Sequence, residues 1–344
     1  MNPFALVALS ACAAAMIGAA AAYFVRVRMP RPPVGVYAAS DIAFLSVGVV
    51  VAPLLYLSLS GAAVSAVFGL VLGLAVQFTL APVCGGRWAW ALALAATAVT
   101  AAFAFADRPV AVRVCTDLLL VVAVVGVANL WAQSGMRPVH VAAFAAVLTG
   151  YDLVATTLTR VTLDFATQVQ GRPFAPMFAL TGGDRPVAIG LGDLLLLVLF
   201  PLVATRAFGR RAGLLAASVG VGVTGVVSAL FAVGALTAGF PLLTLLGPLI
   251  VAQHLVWTRR YGGERRTVDW RAGTPVRARP RDEQALPAAE LTAALAVPVP
   301  DGSPEGTWFA VGEGRVLATG PTPGQARRAA GRQAPEVPVV IRMV

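Results

Sequence analysis

The stretch Val187–Phe208, VAIGLGDLLLLVLFPLVATRAF, is long and apolar enough to cross a membrane as a helix. It nevertheless carries a carboxylate, Asp193, near its beginning, at the end of the tetrapeptide Gly190-Leu191-Gly192-Asp193. A second carboxylate, Asp152, follows Tyr151 in the preceding apolar stretch. A carboxylate at bilayer depth is energetically costly and marks a functional site by default. These two motifs therefore direct the functional prediction.

The composition of the whole chain is that of a membrane protein. Of its 344 residues, 58% are hydrophobic and 12% are charged, and the mean hydropathy is +0.80. Soluble domains carry about twice that charged fraction. Apolar runs of membrane-spanning length recur from the N-terminus to about Trp257. The chain is therefore predicted to be an all-α polytopic membrane protein; an outer-membrane barrel would show short alternating segments instead.

Arginine, proline and glycine divide the apolar runs into nine predicted transmembrane helices. Their predicted ranges are 4–25, 40–59, 62–83, 88–106, 112–132, 139–158, 187–208, 212–236 and 240–257. Together they make a membrane domain over residues 1–258, with the catalytic core at about 139–257. The sixth and seventh helices carry the two aspartates.

The basic residues indicate orientation in the membrane. The net charge of +10 comes from arginine alone, and the arginines lie in loops and in the tail, so no nucleic-acid partner is predicted. Most of those near helix ends fall on the face that holds the C-terminus, which predicts a cytoplasmic C-terminus and an N-terminus outside. The arginine- and alanine-rich composition is typical of GC-rich prokaryotic genomes, which predicts a multi-pass protein of the cytoplasmic membrane.

The chain beyond Trp257 changes character. Residues 259–304 are rich in Arg, Pro and Ala and are predicted to form a flexible linker. Residues 305–344 are predicted to form a small α+β unit of ββαβ order, because a Gly-Glu-Gly turn at 312–314 separates two short apolar strands. Thr322 begins a capping box before a helix, and 337–344 completes the unit as a third strand. No catalytic constellation is present there, so a docking or regulatory role is expected.

The spacing of the two aspartates predicts that they meet. Asp152 lies about seven residues before the sixth helix ends and Asp193 about six after the seventh begins, so both lie roughly 10 Å below one membrane face. Consecutive helices are antiparallel and usually adjacent. Two carboxylates at close range in a site of low dielectric constant share one proton. The ionised member can accept a proton from water, and the protonated member can donate one to a carbonyl oxygen. This chemistry needs no metal and no cofactor.

Other residues are predicted to position a substrate. Gly190 and Gly192 flank the motif where a Cβ would obstruct the approach of a backbone. Pro241, with Leu242 and Leu243, opens the ninth helix on the same face, and proline leaves nearby backbone groups free for an unwound substrate. Pro241 is also an ordinary residue for a helix start, and that alternative stays open. The loop 159–186 is a further candidate for substrate pairing or gating.

The order and content of these motifs resemble a known family. Tyr151-Asp152 in the sixth of nine helices, Gly190-Leu191-Gly192-Asp193 in the seventh and a Pro-x-Leu segment in the ninth are similar to the presenilin and signal peptide peptidase aspartyl proteases. The resemblance implies that Asp152 and Asp193 are the catalytic pair and that the segment near Pro241 positions transmembrane or signal-peptide substrates. The family's usual Pro-Ala-Leu is Pro241-Leu242-Leu243 here. The predicted orientation is like that of the signal peptide peptidase branch.

The remaining polar residues favour structural roles. Asp117 is expected to pair with Arg113, four residues earlier on the same helical face. Tyr151 is expected either to hydrogen-bond within the catalytic region or to pack in the bundle. Capping, packing or loop positions are expected for the others, and the cysteines show no pairing or metal-binding spacing: Asp41, Asp107, Asp164, Asp184, His140, His254, Cys12, Cys84 and Cys115.

Three rival interpretations use the same residues. A prepilin-type leader peptidase also has a Gly-x-Gly-Asp carboxylate, but its motif usually continues into a lysine, where this chain has Leu194. A proton-coupled transporter or channel would use the aspartates as proton sites, but no inverted repeat is visible. An inactive homologue acting as a scaffold would not need both aspartates. The sequence names no particular substrate, cleavage site or accessory subunit.

Overall fold

The computed structural model describes residues 3–30, 39–159, 161–178, 188–233, 235–236, 242–265, 267–271, 288–300, 302–304, 306–334 and 339–343. These residues form a mostly helical protein. They divide into two compact units, residues 1–278 and 279–344. The first unit contains the long apolar helices, and the second contains a small sheet.

The helices of the first unit follow the predicted apolar runs closely. They are α1 Pro3–Arg26, α2 Ala39–Leu57, α3 Gly61–Cys84, α4 Gly86–Phe105, α5 Pro109–Gln133, α6 Pro138–Thr157, α7 Val161–Val169, α8 Leu191–Phe208, α9 Arg210–Ala232, α10 Leu243–Tyr261 and α11 Thr267–Arg271. Proline occupies the first position of α5 and α6, where its fixed φ suits a helix and its missing N–H has no partner to lose.

Eight helices in the described part of the chain are long and apolar enough to span a membrane, namely α1–α6, α8 and α9. The ninth predicted span corresponds to α10, a helix of 19 residues. That length is about 28 Å, close to the thickness of a bilayer core. However, α10 contains Gln253, His254 and the pair Arg259–Arg260 and does not reach the apolar character of the other eight. Residues 240 and 241 of the predicted span lie outside the described residues.

Helix α8 is the centre of the first unit. Buried residues make up 72% of its span, against 11% for α2 and 17% for α4. It packs against α1, α5, α6, α9 and α10. Apolar side chains on every side of a helix are typical of a helix enclosed by protein, and the leucine-rich run after Asp193 has this pattern. The helix that carries the Gly-x-Gly-Asp motif is therefore also the most enclosed one.

Two arginine side chains bind backbone carbonyl groups at or just after the C-terminal ends of α5 and α8. Arg206, buried at the end of α8, donates to the carbonyl oxygens of Ala132 and Met136 at the end of α5. Arg265 in turn donates through Nε to the carbonyl oxygen of Arg206 at 2.7 Å. The last carbonyls of a helix have no partner within it, so these guanidinium groups satisfy acceptors that would otherwise be buried alone.

The ordered structure extends into the segment predicted as a linker. Trp270 in α11 stacks on Phe24 with ring centroids 4.9 Å apart, and the guanidinium of Arg28 lies 5.6 Å from its ring. A further helix, α12 Ala288–Ala296, belongs to the second unit. The prediction of a flexible linker over 259–304 was therefore too long at both ends. Its arginines suggested exposure to solvent, whereas Arg265 binds backbone carbonyls of the bundle.

The connection between α6 and α8 is more structured than the predicted polar loop. It contains α7, whose Phe165 lies in an aromatic cluster with Tyr56 and Phe68. It also contains a short antiparallel pair, β1 Met177–Phe178 and β2 Ile189–Gly190, in which Met177 is opposite Gly190. Residues 179–187 lie outside the described residues. Strand β2 leads directly into α8.

The second unit is a three-stranded antiparallel sheet with a helix on each face. Its strands are β3 Trp308–Gly312, β4 Arg315–Gly320 and β5 Val340–Met343, in the order β4-β3-β5, and α13 is Pro323–Gln333. Alternating side chains of β3 face opposite sides, so Phe309 packs with Ala294 of α12 and Ala310 packs with Ala326 of α13. The chain order of this unit is α12, β3, β4, α13 and β5, and α12 was not part of the sequence prediction.

Candidate functional site

Asp152 lies near the end of α6. It is the fifteenth of the 20 residues in that helix and is partly buried. Leu153 and Val154 beside it are exposed, and Ala155 is buried. A membrane helix that turns apolar side chains outward and a carboxylate towards the protein matches the usual position of intramembrane acids.

Asp193 lies in the first turn of α8, closer to the helix start than predicted. The helix begins at Leu191, because Gly190 has an extended backbone with φ −65° and ψ 152° and pairs in β2. The sequence placed Asp193 about six residues inside the helix, since nothing in the apolar run marks the strand. A carboxylate in the first turn interacts favourably with the unpaired N–H groups of the helix start.

The two aspartates come together in the structure. Asp152 is near enough to Asp193 for their charges to interact, and the backbone amides of Gly190 and Leu243 also interact with the Asp193 carboxylate. Asp193 is partly buried, and its Oδ1 is fully enclosed with no hydrogen-bond partner among the described residues. Neither aspartate forms a salt bridge within the described residues. The site thus holds two carboxyl groups in a restricted space.

Helix α10 closes the site from a third side. Leu242 and Leu243 are both buried, and Leu243 reaches Asp193 through its backbone. The hydroxyl of Thr149, one turn before Asp152, donates to the carbonyl oxygen of Leu243 at 3.1 Å. Gly247 lets the helices approach, because a Cβ there would lie 1.9 Å from Oγ1 of Thr149. Helices α6 and α10 are therefore in close contact beside the two aspartates.

The other predicted positioning residues differ in their surroundings. A Cβ on Gly190 would lie 3.3 Å from Oδ2 of Asp193, so that glycine permits the close approach of the carboxylate. No described atom lies within 4 Å of the corresponding position at Gly192, which is exposed. Among the described residues no neighbouring helix approaches Gly192, and the approach of a substrate backbone at this glycine stays a prediction. The hydroxyl of Tyr151 is buried without a described partner, and Pro241 lies outside the described residues.

The remaining polar residues lie apart from this pair or have partners of their own. Asp117 lies near Cys12, and both Asp117 and Arg113 take part in further interactions. Nδ1 of His254, a residue expected at a packing position, lies 3.6 Å from Oε1 of Glu264. Asp164 is exposed on α7, and Asp184 lies outside the described residues. Among the described residues, no group of three or more His, Cys, Asp and Glu side chains is placed to hold a metal ion.

The sequence prediction missed three features of the site. The β1–β2 pair gave no signal, because two-residue strands are too short to show alternation. The contact between Thr149 and Gly247 had a weak signal, since small and hydroxyl residues are enriched where membrane helices touch. The third is Phe174, which precedes β1 and has a left-handed backbone with φ 62°.

The arrangement can perform acid–base chemistry on a bound water molecule. Two interacting carboxylates with no cation beside them among the described residues favour the state that holds one proton. Such a pair presents one acceptor and one donor at the same place. No family model, curated protein or solved structure matches the chain, so the resemblance to the presenilin and signal peptide peptidase proteases rests on its motifs.

Proposed function

We propose that the chain is an intramembrane aspartic endopeptidase that hydrolyses peptide bonds within transmembrane segments or signal peptides. The observation that carries the proposal is that Asp152 of α6 and Asp193 of α8, two helices packed against each other, are near enough for their charges to interact, and that both are partly buried. The two residues are 41 positions apart in sequence and belong to separate helices, so their proximity does not follow from local structure. Two neighbouring carboxylates with no salt-bridge partner among the described residues are costly inside an apolar bundle, which favours a functional role.

In the proposed reaction, water is the nucleophile. The ionised aspartate takes a proton from water, whose oxygen attacks the carbonyl carbon of the scissile bond. The protonated aspartate donates a hydrogen bond and then its proton to the carbonyl oxygen. The aspartate that took the proton from water passes it to the amide nitrogen as the C–N bond breaks, and the other aspartate takes a proton from a hydroxyl of the resulting diol, so the pair again holds one proton. The two carboxylates exchange roles through one shared proton, so the pair is treated as a unit.

The substrate must be partly unwound to reach this pair. A helical transmembrane segment has its backbone groups closed in its own hydrogen bonds, and an unwound strand in a membrane needs new partners. Strand β2 ends three residues before Asp193, and its pair with β1 provides extended backbone near this carboxylate. The first turn of α10 at Leu243 supplies further backbone groups near the same carboxylate.

The protein is proposed to lie in the cytoplasmic membrane with its C-terminus in the cytoplasm. The eight apolar helices support a membrane location, and the arginine distribution supports the orientation. This orientation favours substrates whose N-terminus is cytoplasmic. A reporter fused after Val344 is expected to be active only in the cytoplasm.

A cleavage assay tests the proposal directly. The full chain is reconstituted in liposomes with a labelled peptide that forms a single transmembrane helix, and the products are identified by mass spectrometry. Asp152→Asn and Asp193→Asn keep the shape of each side chain and remove its acid–base function. Each is expected to lower the rate by about 10²- to 10⁴-fold. Asp164→Asn is the matched control, because Asp164 is an exposed carboxylate on α7.

The outcomes separate protease from transporter. Cleavage that requires both Asp152 and Asp193 and is unaffected by Asp164→Asn supports the proposal. Cleavage that survives either of the first two substitutions rejects the pair as the catalytic group. Proton flux across the liposome without peptide cleavage, abolished by the same two substitutions, would assign the aspartates to transport.

A further inference from the structure

The segment that leads from α7 to the candidate site contains a bulky residue in a strained conformation. Phe174 has φ 62°, in the left-handed region that L side chains rarely adopt. Asp107 and Glu313, the two other described residues with positive φ apart from glycine, also lie in turns, but both are exposed, whereas Phe174 is buried. A strained backbone persists only where its surroundings hold it, and such residues cluster at functional sites.

Two transmembrane helices hold Phe174 in place. Its ring is buried and lies against Gly69 of α3, where an added Cβ would be 3.0 Å from Cδ2 of the ring. Its backbone N–H donates to Oγ1 of Thr116, a buried residue of α5, at 3.2 Å. The side chain and the backbone of one residue are thus fixed by helices that carry neither Asp152 nor Asp193.

A short path joins Phe174 to Asp193. Pro176, two residues later, accepts a hydrogen bond from the backbone N–H of Leu191 at 3.0 Å. Strand β1 then pairs with β2, and the amide of Gly190 interacts with the Asp193 carboxylate. The path thus consists of a backbone hydrogen bond, a strand pair and a contact between a backbone amide and the Asp193 carboxylate. A displacement of Phe174 would therefore be transmitted to Asp193.

We infer that Phe174 is a positioning residue for the candidate active site. Gly69 and Thr116 hold Phe174 in its left-handed conformation, and Phe174 fixes β1, which in turn sets the position of Gly190 against Asp193. This inference rests on the proposed function only where it concerns cleavage. Its structural part, the dependence of the β1–β2 pair on the contacts of Phe174, stands independently of any reaction.

The principal test changes one hydrogen-bond acceptor. Thr116→Val keeps the shape of the side chain and removes the oxygen that accepts from Phe174, whereas Thr116→Ser keeps the oxygen. Thr116→Val is expected to lower kcat by about tenfold or more with KM within about twofold, because small displacements of a catalytic group are costly. Thr116→Ser is expected to retain most of the wild-type kcat. A general packing defect would instead follow side-chain volume and affect serine more than valine.

Hydrogen exchange provides a readout that needs no substrate. Peptides covering residues 174–178 and 189–191 are expected to exchange faster in Thr116→Val than in Thr116→Ser, while peptides from α9 are unchanged. Gly69→Ala is expected to produce the same local change by displacing the ring of Phe174. The double variant Gly69→Ala with Phe174→Leu provides room for the added methyl group and is expected to recover protection. If Thr116→Val does not fold, the comparison of Gly69→Ala with this double variant tests the inference instead.

The results distinguish this inference from the proposed function. Faster exchange confined to the β1–β2 pair, together with lower kcat, supports both. Faster local exchange in a protein that cleaves no transmembrane peptide would retain the role of Phe174 in the structure and reject the protease. Unchanged exchange at 174–178 and 189–191 in both Thr116→Val and Gly69→Ala would overturn the inference, whatever the cleavage rate.

Discussion

Two carboxylate sites in the helical unit have opposite surroundings. The side chain of Glu264 is 5% exposed and binds Nε of Arg137 and the backbone N–H of Val139, each at 2.8 Å. Asp193 is partly buried and interacts with the backbone amides of Gly190 and Leu243, but the charge that acts on it is the like charge of Asp152. Glu264 therefore has a cation as its partner, whereas Asp193 has a second carboxylate, as the proposed catalytic pair requires. Helix α6 joins the two sites, because Val139 begins it and Asp152 lies near its end.

The contrast matters because burial alone does not identify a functional carboxylate. A buried carboxylate is stable in its ionised form when cations and N–H groups bind its oxygens, and it then does not readily accept a proton. A buried pair of carboxylates must share a proton, and that proton is available for chemistry. The predictions below substitute residues on each side of this comparison.

The largest expected effect concerns the aspartate pair acting as one unit. Asp152→Asn and Asp193→Asn should each abolish most cleavage, and the double variant should lose no more than about the larger single loss, because neither residue works without the other. Thermal unfolding in detergent should show no loss of stability, since the substitutions remove a like-charge repulsion. Losses that multiply in the double variant would show that the two aspartates act independently.

The second prediction is a bell-shaped dependence of kcat on pH. At low pH both carboxyl groups are protonated and none accepts a proton from water; at high pH both are ionised and none donates one. On each limb the rate should change by up to about tenfold per pH unit. Glu264→Gln should leave the shape of the curve unchanged, because Glu264 does not contact the pair. A rate that rises with pH to a plateau would contradict a shared proton.

The third prediction concerns the satisfied carboxylate. Glu264→Gln should lower the free energy of unfolding by about 1–3 kcal/mol, because it weakens the contacts with Arg137 and with the first turn of α6. Arg137→Gln should cost less, since the Arg137 side chain is 58% exposed and the carboxylate keeps its bond to Val139. Unfolding in a denaturing detergent measures both. A larger loss for Arg137→Gln would show that the ion pair, and not the backbone contact, dominates.

The sequence singles out the aspartate pair more readily than it singles out Glu264. Asp152 and Asp193 interrupt long apolar runs, so their cost is visible without coordinates. Glu264 lies in an arginine-rich segment where a carboxylate is ordinary, and its partners Arg137 and Val139 are 127 and 125 residues away. Pairing over such separations leaves no local pattern, and the same limit hides the contact of Thr116 with Phe174.

The helix positions were predictable for a related reason. Membrane-spanning runs are long and uniformly apolar, so their ends are marked by Arg, Pro and Gly. The prediction was less accurate at two places where the chain is not uniformly apolar or not helical. At the start of α8, Ile189–Gly190 form a strand, and in α10 polar residues weaken the apolar signal. Both places adjoin Asp193, where backbone pairing and not hydropathy sets the local structure.

A smaller effect is expected where α6 and α10 touch between the two carboxylate sites. Gly247→Ala places a Cβ against Thr149 and 3.2 Å from the carbonyl oxygen of Ala145, so it should destabilise the protein by about 1–3 kcal/mol and lower kcat. Gly247→Ala with Thr149→Ala should recover part of the stability by providing room. Thr149→Ala alone is the control. Full stability in Gly247→Ala would show that the two helices separate without cost.

The smallest effect on kcat is expected at Trp270, which packs with Phe24 and Arg28 at the end of α1. Its ring stacks on Phe24 and lies under the guanidinium of Arg28, so Trp270→Ala removes two contacts that each contribute about 0.5–1.5 kcal/mol. Because this end is structural, kcat should stay within about twofold of wild type at a temperature where the variant is folded. Trp270→Phe should restore most of the stability, since it keeps an aromatic ring between Phe24 and Arg28. A drop in kcat without a drop in stability would show that α11 affects the aspartate pair. The contacts of Trp270 would then not be purely structural.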